Sequence, residues 1–161
     1  MSLEHNFVIA GESDDWMHVS SQFFDNPGAF EHVNVHDDYI SYFGDFIQFF
    51  DFVNPCRKNE IHNGLCYYGV TLIQNERLDS AIKLLEHFLG IFQLAPENVS
   101  LTGNYVIEES ETPDPVSGFY EKGHFEMLKT TKEKIVKKLE ELIALFSKAK
   151  QENKCIFHFG I

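Results

Sequence analysis

Two long stretches of the chain repeat apolar residues at steps of three and four, which is the period of an amphipathic helix. They run from Asn75 to Phe92 and over residues 131–150, with polar residues between the apolar ones. Thr130 and Glu133 have the spacing of a capping box before the second stretch. The pattern predicts two principal helices. Their apolar faces are formed by Leu78, Ile82, Leu85, Leu89 and Phe92 in the first, and by Ile135, Leu139, Leu142 and Phe146 in the second.

Shorter apolar runs around these helices predict strands. Residues 65–73 form a continuous apolar, β-prone run, which is typical of a strand buried on both faces. Residues 99–107 alternate apolar and polar positions, and 119–128 could pair with them as a hairpin. Cys155–Phe159 is a further strand. The order strand, helix, strand, strand, helix, strand can give a split β-α-β core, in which two helices cover one face of an antiparallel sheet.

The pattern before residue 65 is weaker. His5 to Ala10 reads as a short strand, and residues 12–35 are irregular. An apolar face at three- and four-residue steps then predicts an aromatic helix around residues 40–50, which Asp37 or Asp38 could cap. The Asn54-Pro55 pair is expected to close that helix.

These elements together predict one α+β domain over residues 1–161, with a mainly antiparallel sheet and two principal helices. The N-terminal strand and the aromatic helix add to this core. Apolar residues at 43% and charged residues at 24% are typical of a globular chain rather than a disordered one. No apolar run approaches the roughly 18–20 residues of a membrane span, and the start of the chain lacks a secretory signal. The three cysteines are scattered, which favours a cytoplasmic protein with reduced thiols.

Charge is distributed unevenly along the chain. The first 56 residues carry ten acidic side chains and no lysine or arginine, whereas the other 105 carry 15 acids and 13 bases. Twelve of the 23 aromatic residues lie in the same acidic segment. Such a segment repels nucleic acid and anionic membranes and attracts a cationic partner. The alternative is an acidic, soluble domain whose aromatic residues simply form the core.

If the acidic segment binds a partner, exposed carboxylates and aromatic rings are the expected contacts, because unpaired carboxylates are almost never fully buried. The homodimeric alternative would use exposed aromatic rings as its self-interface. The residues predicted to contact a protein partner are Asp14, Asp15, Trp16, Asp37, Asp38, Tyr42 and Asp45.

Candidate chemistry is weak throughout the sequence. His32 and His36, four residues apart and followed by Asp38, are the best available metal ligands, but Val33-Asn34-Val35 between them favours a strand or turn. Cys56 precedes Arg57 and Lys58, cations that could lower the pKa of its thiol. The sequence does not show which histidine, if any, lies near Cys56 to act as its base. No phosphate-binding glycine loop or nucleophile elbow is present. The sequence predicts no catalytic residue, no metal and no cofactor, and His158 is expected to be a structural histidine.

Several segments after residue 65 resemble those of a known class of proteins. The strand Gly69-Val70-Thr71-Leu72-Ile73, its following helix and the segment 156–161 resemble small bacterial α+β immunity proteins of polymorphic toxin systems. The resemblance covers roughly Leu65 to Ile161. It implies a cytosolic inhibitor, encoded beside a toxin, that occludes the active site of that toxin, and it carries over no catalytic residue. Many such toxins are nucleases with basic clefts, which an acidic inhibitor could occupy. Two alternatives stay open: an enzyme whose site is assembled from distant residues, and a homo-oligomeric structural module.

Overall fold

Eight strands and four helices make up the described part of the chain, which covers residues 3–49, 51–109, 112, 116, 118 and 121–161 of a computed structural model. The strands are β1 (Glu4–Ala10), β2 (His32–His36), β3 (Asp51–Asn54), β4 (Glu60–Asn63), β5 (Val70–Ile73), β6 (Asn98–Glu109), β7 (Glu121–Thr131) and β8 (Cys155–Phe159). The helices are α1 (Trp16–Asp25), α2 (Asp37–Ile47), α3 (Leu78–Gln93) and α4 (Lys132–Gln151). No helix of these ranges is long and apolar enough to cross a membrane.

Six strands form one antiparallel sheet in the order β2-β1-β8-β5-β3-β4. Strand β8 lies inside the sheet, where Phe157 pairs with Val8 of β1 on one side and with Leu72 of β5 on the other. All five residues of β8 are buried. The sheet therefore joins the two ends of the described chain at its centre.

One face of the sheet is covered by α2, α3 and α4. Phe7 and Ile9 of β1 point to this face because alternate residues of a strand point to opposite sides. They pack with Leu142, Phe146 and Ala149 of α4, all of them buried. Each fully buried large apolar side chain contributes about 1.5–3 kcal/mol, so this face holds much of the stability.

The opposite face is covered by α1, which is ten residues long. Val8 of β1 and Phe157 of β8 point to this side and pack against Val19 and Phe23 of α1. Asp15 caps the helix by accepting a hydrogen bond from the Met17 N–H through Oδ1 at 3.2 Å. Helix α1 lies in the range that the sequence predicted to be irregular. It was missed because its buried residues are Val19 and Phe23, and a pattern of two apolar residues is easily overlooked.

The α+β prediction is confirmed, as are the two principal helices and the pairing of residues 99–107 with the strand that follows them. Phe119 and Tyr120, the first two residues of that predicted strand, lie outside the described residues. The hairpin β6-β7 forms a separate two-stranded sheet, however, so the split β-α-β sheet is not completed. Strand β3 occupies the place beside β5. The base of the hairpin packs instead against the helices, where Leu101, Val99 and Leu128 join a cluster with Ile135 of α4.

Several predicted boundaries were wrong. Strand β5 begins at Val70, and before it the backbone turns where the Cys66 N–H donates to Thr71 Oγ1 at 2.7 Å. Helix α2 ends at Ile47, so Asn54-Pro55 closes strand β3 rather than the helix. The cap of α2 is His36, whose ring Nδ1 accepts from the Asp38 N–H at 3.2 Å.

Helix α4 begins one residue later than its predicted capping box. Its cap is Thr131, whose hydroxyl accepts from the Lys134 N–H at 3.4 Å. Because the cap is shifted, Glu133 lies in the first turn but not at the position that completes a capping box with Thr130.

Candidate functional site

An open cleft lies beside α1 on the less covered face of the sheet. A ten-residue helix is only about 15 Å long, so it does not reach across all six strands. The uncovered part is a cleft of about 580 Å³. Val53, Leu72 and Phe157 form its apolar floor, and Ile61 of β4, which is 59% exposed, lies on the side away from α1.

The other wall of the cleft is acidic and well ordered by hydrogen bonds. Exposed Glu12, Asp14 and Asp15 line it, in the segment between β1 and α1. Asp14 Oδ2 accepts from the Gly11 N–H at 2.7 Å, and Glu12 Oε1 accepts from the Asn75 N–H at 2.8 Å. Among the described residues, none of these three carboxylates forms an ion pair with a lysine or arginine. The wall therefore presents three anchored negative charges to the cleft.

Trp16 adds an aromatic ring to the acidic wall. It is the first residue of α1, is half-buried, and packs against the apolar cluster that contains Phe157. A cationic side chain with an apolar stem suits this combination, because the stem can lie on the apolar floor while its charge faces the carboxylates. An arginine guanidinium can also stack on an indole ring.

The structure divides the predicted contact residues into two groups. Asp14, Asp15 and Trp16 line the cleft together. The others belong to α2, which packs on the opposite face of the sheet. That second group consists of Asp37, Asp38, Tyr42 and Asp45, and the side chain of Asp45 lies outside the described residues.

Within the α2 group, the predicted exposure of Asp37 was wrong. Asp37 is 6% exposed, and its Oδ1 accepts from His5 Nε2 at 3.2 Å and from the Tyr67 hydroxyl. These partners lie 32 and 30 residues away in sequence, so no local pattern could indicate them. Asp38 is partly buried beside His36, whereas Tyr42 is 39% exposed.

Asp37 ends a buried row of hydrogen bonds that sequence reasoning missed. His5 Nδ1 lies 2.8 Å from His158 Nε2, and His158 Nδ1 lies 3.4 Å from Thr71 Oγ1. Both histidines are fully buried. Burial lowers the pKa of His5 and lowers that of His158 well below its usual value, so both imidazoles are neutral near pH 7. His158 is a hydrogen-bonded core residue, as the sequence predicted.

A cysteine and a histidine are in contact beside strand β4, at the edge of the sheet. Cys66 Sγ lies 3.3 Å from His62 Nε2 and accepts from Asn54 Nδ2 at 3.1 Å. Burial raises the pKa of the Cys66 thiol, which leaves little thiolate at neutral pH and makes it a poor nucleophile. The sequence candidate Cys56 is exposed, and its backbone N–H is bound to Asn54 Oδ1 at 3.0 Å.

The best metal candidate of the sequence has the wrong geometry. His32 and His36 stand at the two ends of strand β2, about 13 Å apart at strand spacing, so they cannot share one ion. His32 Nδ1 instead contacts the Phe30 carbonyl oxygen at 3.0 Å. Over the ranges that the structure describes, no group of three or more histidine, cysteine, aspartate or glutamate side chains is placed to hold a metal.

The cleft thus combines a shape and a charge suited to a ligand, and three predicted contact residues line it. Its apolar floor and acidic wall indicate a cationic, partly apolar ligand. Comparisons of the chain with protein-family models, with curated proteins and with solved structures gave no match.

Proposed function

We propose that this protein is an immunity-type inhibitor, which binds a basic toxin domain and neutralises it by covering its active site. The observation that carries the proposal is the cleft, where Glu12, Asp14, Asp15 and Trp16 face an apolar floor. A nuclease is the favoured class of toxin, because its phosphate-binding cleft presents the lysines and arginines that such a surface attracts.

The charge distribution supports rapid association with such a partner. The chain carries a net charge of −12, to which its first 56 residues contribute −10. Six acids of this segment are exposed: Glu4, Glu12, Asp14, Asp15, Asp25 and Glu31. An extended negative field of this kind raises the association rate for a basic protein and is screened by salt.

The size of the cleft suits a loop of a protein partner. A volume of about 580 Å³ lies in the range of roughly 300–1,000 Å³ that ligand pockets occupy. One or two side chains of a toxin loop would fill it, with an arginine or lysine directed to the acidic wall. Aromatic anchors such as Trp16 would then hold the complex after the charges have guided it into place.

The decisive experiment measures binding to the toxin domain encoded by the neighbouring gene. A triple variant, E12Q/D14N/D15N, removes three charges, while each amide oxygen still accepts the backbone hydrogen bond that its carboxylate accepted. The matched control, E86Q/E97Q/E140Q, removes three exposed charges outside the cleft. Association rates are measured at 0.01 M and 0.1 M salt, between which the Debye length falls from ~30 Å to ~10 Å.

The cleft variant should associate at least tenfold more slowly than the wild type at 0.01 M salt, with a weaker salt dependence and unchanged folding stability. The control should lose less than threefold. Truncation of Trp16 to alanine should instead raise the dissociation rate. Equal association rates for the two triple variants would refute a role for the cleft, and failure of the wild type to protect against the toxin would refute the function.

A homo-oligomeric module is the second candidate, and one observation favours it. Tyr105 and Ile107 of β6 and Phe125 and Met127 of β7 are each 52–60% exposed on the hairpin. Exposed apolar patches of this kind often mark protein interfaces. Sedimentation velocity distinguishes the candidates: a dimer that F125S converts to a monomer would favour the module, whereas a monomeric wild type would exclude it.

A further inference from the structure

The proposed function does not use the buried row Asp37–His5–His158–Thr71. Its two imidazole rings lie edge to edge and nearly coplanar inside the core, with centroids 5.1 Å apart and planes 9° from parallel. Both side chains are fully buried. They come from the adjacent strands β1 and β8, and the row ends at the first turn of α2. With Thr71 of β5 at its other end, the row ties four elements of the core together.

The hydrogen bonds assign a neutral form to each ring. Asp37 accepts, so His5 donates its Nε2–H to Asp37 Oδ1 and accepts at Nδ1. His158 then donates its Nε2–H to His5 Nδ1, and His158 Nδ1 accepts from the Thr71 hydroxyl. The Thr71 oxygen in turn accepts from the Cys66 N–H. With two neutral rings, every donor in the row has one acceptor.

Added protons disturb this arrangement in two steps. A first proton on His5 creates an N–H at Nδ1, and His158 must then move its own proton to Nδ1, facing Thr71. The resulting cation lies between Asp37 and His158. A second proton on His158 would place two N–H donors against each other across the 2.8 Å contact. The native row therefore accommodates at most one extra proton, whereas two solvated histidines each accept one at about pH 6.5.

We propose that the His5–His158 pair is an acid-sensitive lock on the centre of the sheet, which excludes protons that the unfolded chain takes up. The neighbouring groups offer little compensation. Asp37 faces the pair from α2, Tyr67 from the turn before β5, and Thr71 from β5. From α4, the ring of Phe146 packs on Phe7, which in turn contacts His158. Among the described contacts of the pair, Asp37 supplies the compensating negative charge.

The direction of the pKa shifts agrees with the geometry. Burial is the main cause that lowers the pKa of both rings. At His5, the hydrogen bond to Asp37 and the charge of Asp37 oppose this lowering. At His158, the neighbouring His5 lowers the pKa further. Because the folded values lie below 6.5, stability is complete above that pH and is lost as pH falls from it towards the folded values.

Urea unfolding between pH 8 and pH 5 tests the lock. Two excluded protons make the unfolding constant rise by a factor that approaches 100 per pH unit below about pH 6, and one excluded proton gives a factor of 10. We therefore expect the unfolding constant of H158Q to rise by a factor of about 10 per pH unit in this range, where that of the wild type rises by a factor approaching 100. The control H87Q removes an exposed histidine of α3 and should keep the wild-type dependence.

A second measurement uses the wild type alone, in case H158Q does not fold. In NMR spectra of the folded protein at pH 5.5, the ring C–H signal of His158 should remain at the position of a neutral imidazole. The signal of His5 should begin to shift only at a pH below 6.5. Titration of both signals near pH 6.5 with the fold intact would overturn the lock. So would equal pH dependence of the unfolding constant in H158Q and wild type.

Discussion

The two faces of the central sheet differ in how completely they are covered. One face carries α2, α3 and α4, which are 11, 16 and 20 residues long, and the other carries α1 with ten residues. The heavily covered face contains the largest apolar cluster and the histidine row. The sparsely covered face contains the acidic cleft. The larger buried cluster thus lies on one face, while part of the other face is left open.

The largest expected effect comes from the covered face. Phe146 of α4 is 3% exposed and contacts the ring of Phe7 with centroids 5.8 Å apart. Replacement of Phe146 by alanine should lower the free energy of unfolding by about 3–5 kcal/mol, because it removes buried surface and leaves a cavity. Urea unfolding measures the loss. A cost below about 1 kcal/mol would mean that this face does not dominate stability.

A smaller effect is expected where the histidine row meets α2. D37A removes the acceptor of both His5 Nε2–H and the Tyr67 hydroxyl. The fully buried His5 N–H is then left without its acceptor, which costs about 1–3 kcal/mol, so the free energy of unfolding at pH 7.5 should fall by about that amount. The Tyr67 hydroxyl still lies 3.3 Å from Ser41 Oγ. The matched variant D38A, on the partly exposed neighbour of Asp37, should cost clearly less. Equal losses would contradict the assigned role of Asp37.

Asn75 links the two faces, and its removal should have an intermediate effect. Its Nδ2 donates to the Lys154 carbonyl at 2.8 Å after α4, while its backbone N–H is held by Glu12 on the cleft wall. N75A should cost about 1 kcal/mol and speed amide exchange at the end of α4. The exposed neighbour Ser80 offers a control in S80A. If amide exchange at the end of α4 is unchanged in N75A, the hydrogen bonds of Asn75 do not stabilise that end of the helix.

Helix α1 should respond to its cap. D15A removes the acceptor for the Met17 N–H and should cost about 0.5–2 kcal/mol, whereas D15N keeps an acceptor and should cost less. Thermal unfolding of the two variants measures the difference. If both lose the same stability, the charge of Asp15 rather than its cap stabilises the helix.

The smallest effect on stability is expected at the cleft. Ile61 is 59% exposed on β4, so I61S should change the free energy of unfolding by no more than about 0.5 kcal/mol. If the proposed toxin partner binds in the cleft, the same variant should weaken that binding, because Ile61 lines the cleft. A large loss of stability would show that this side of the cleft is part of the core.

The elements with a regular apolar pattern were predictable from sequence, and the rest were not. Helices α3 and α4 have clear periods and strand β8 is a continuous, fully buried run, and each was placed within a few residues. Strands β3 and β4 are four residues long, too short to produce a period. Two acids of the cleft wall, Asp14 and Asp15, were among the predicted contact residues because they lie in a segment without lysine or arginine, whereas Glu12 was missed. Their grouping with Val53 and Leu72 depends on strand order, which the sequence does not state.

The same limit applies to Asp37. Its adjacency to Asp38 and its place before an aromatic helix favour an exposed cap, and only the distant His5 and Tyr67 make burial favourable. Hydrogen bonds between residues 30 or more positions apart leave no local signal. The Cys66–His62 contact was missed for a related reason, because four-residue spacing indicates proximity on a helix and these residues lie on a strand and the following turn.

The central position of β8 also determines when the fold can form. Val8 pairs with Phe157, so the contacts that close the sheet span nearly the whole described chain. Contacts this distant in sequence slow folding because a long loop must be ordered before they form. During synthesis β1 and α1 emerge before β8, which is made some 145 residues after β1. At about 5–20 residues per second, Phe7, Val8 and Phe23 therefore lack their contacts with β8 for about 7–30 seconds, during which a chaperone could bind the exposed apolar surface.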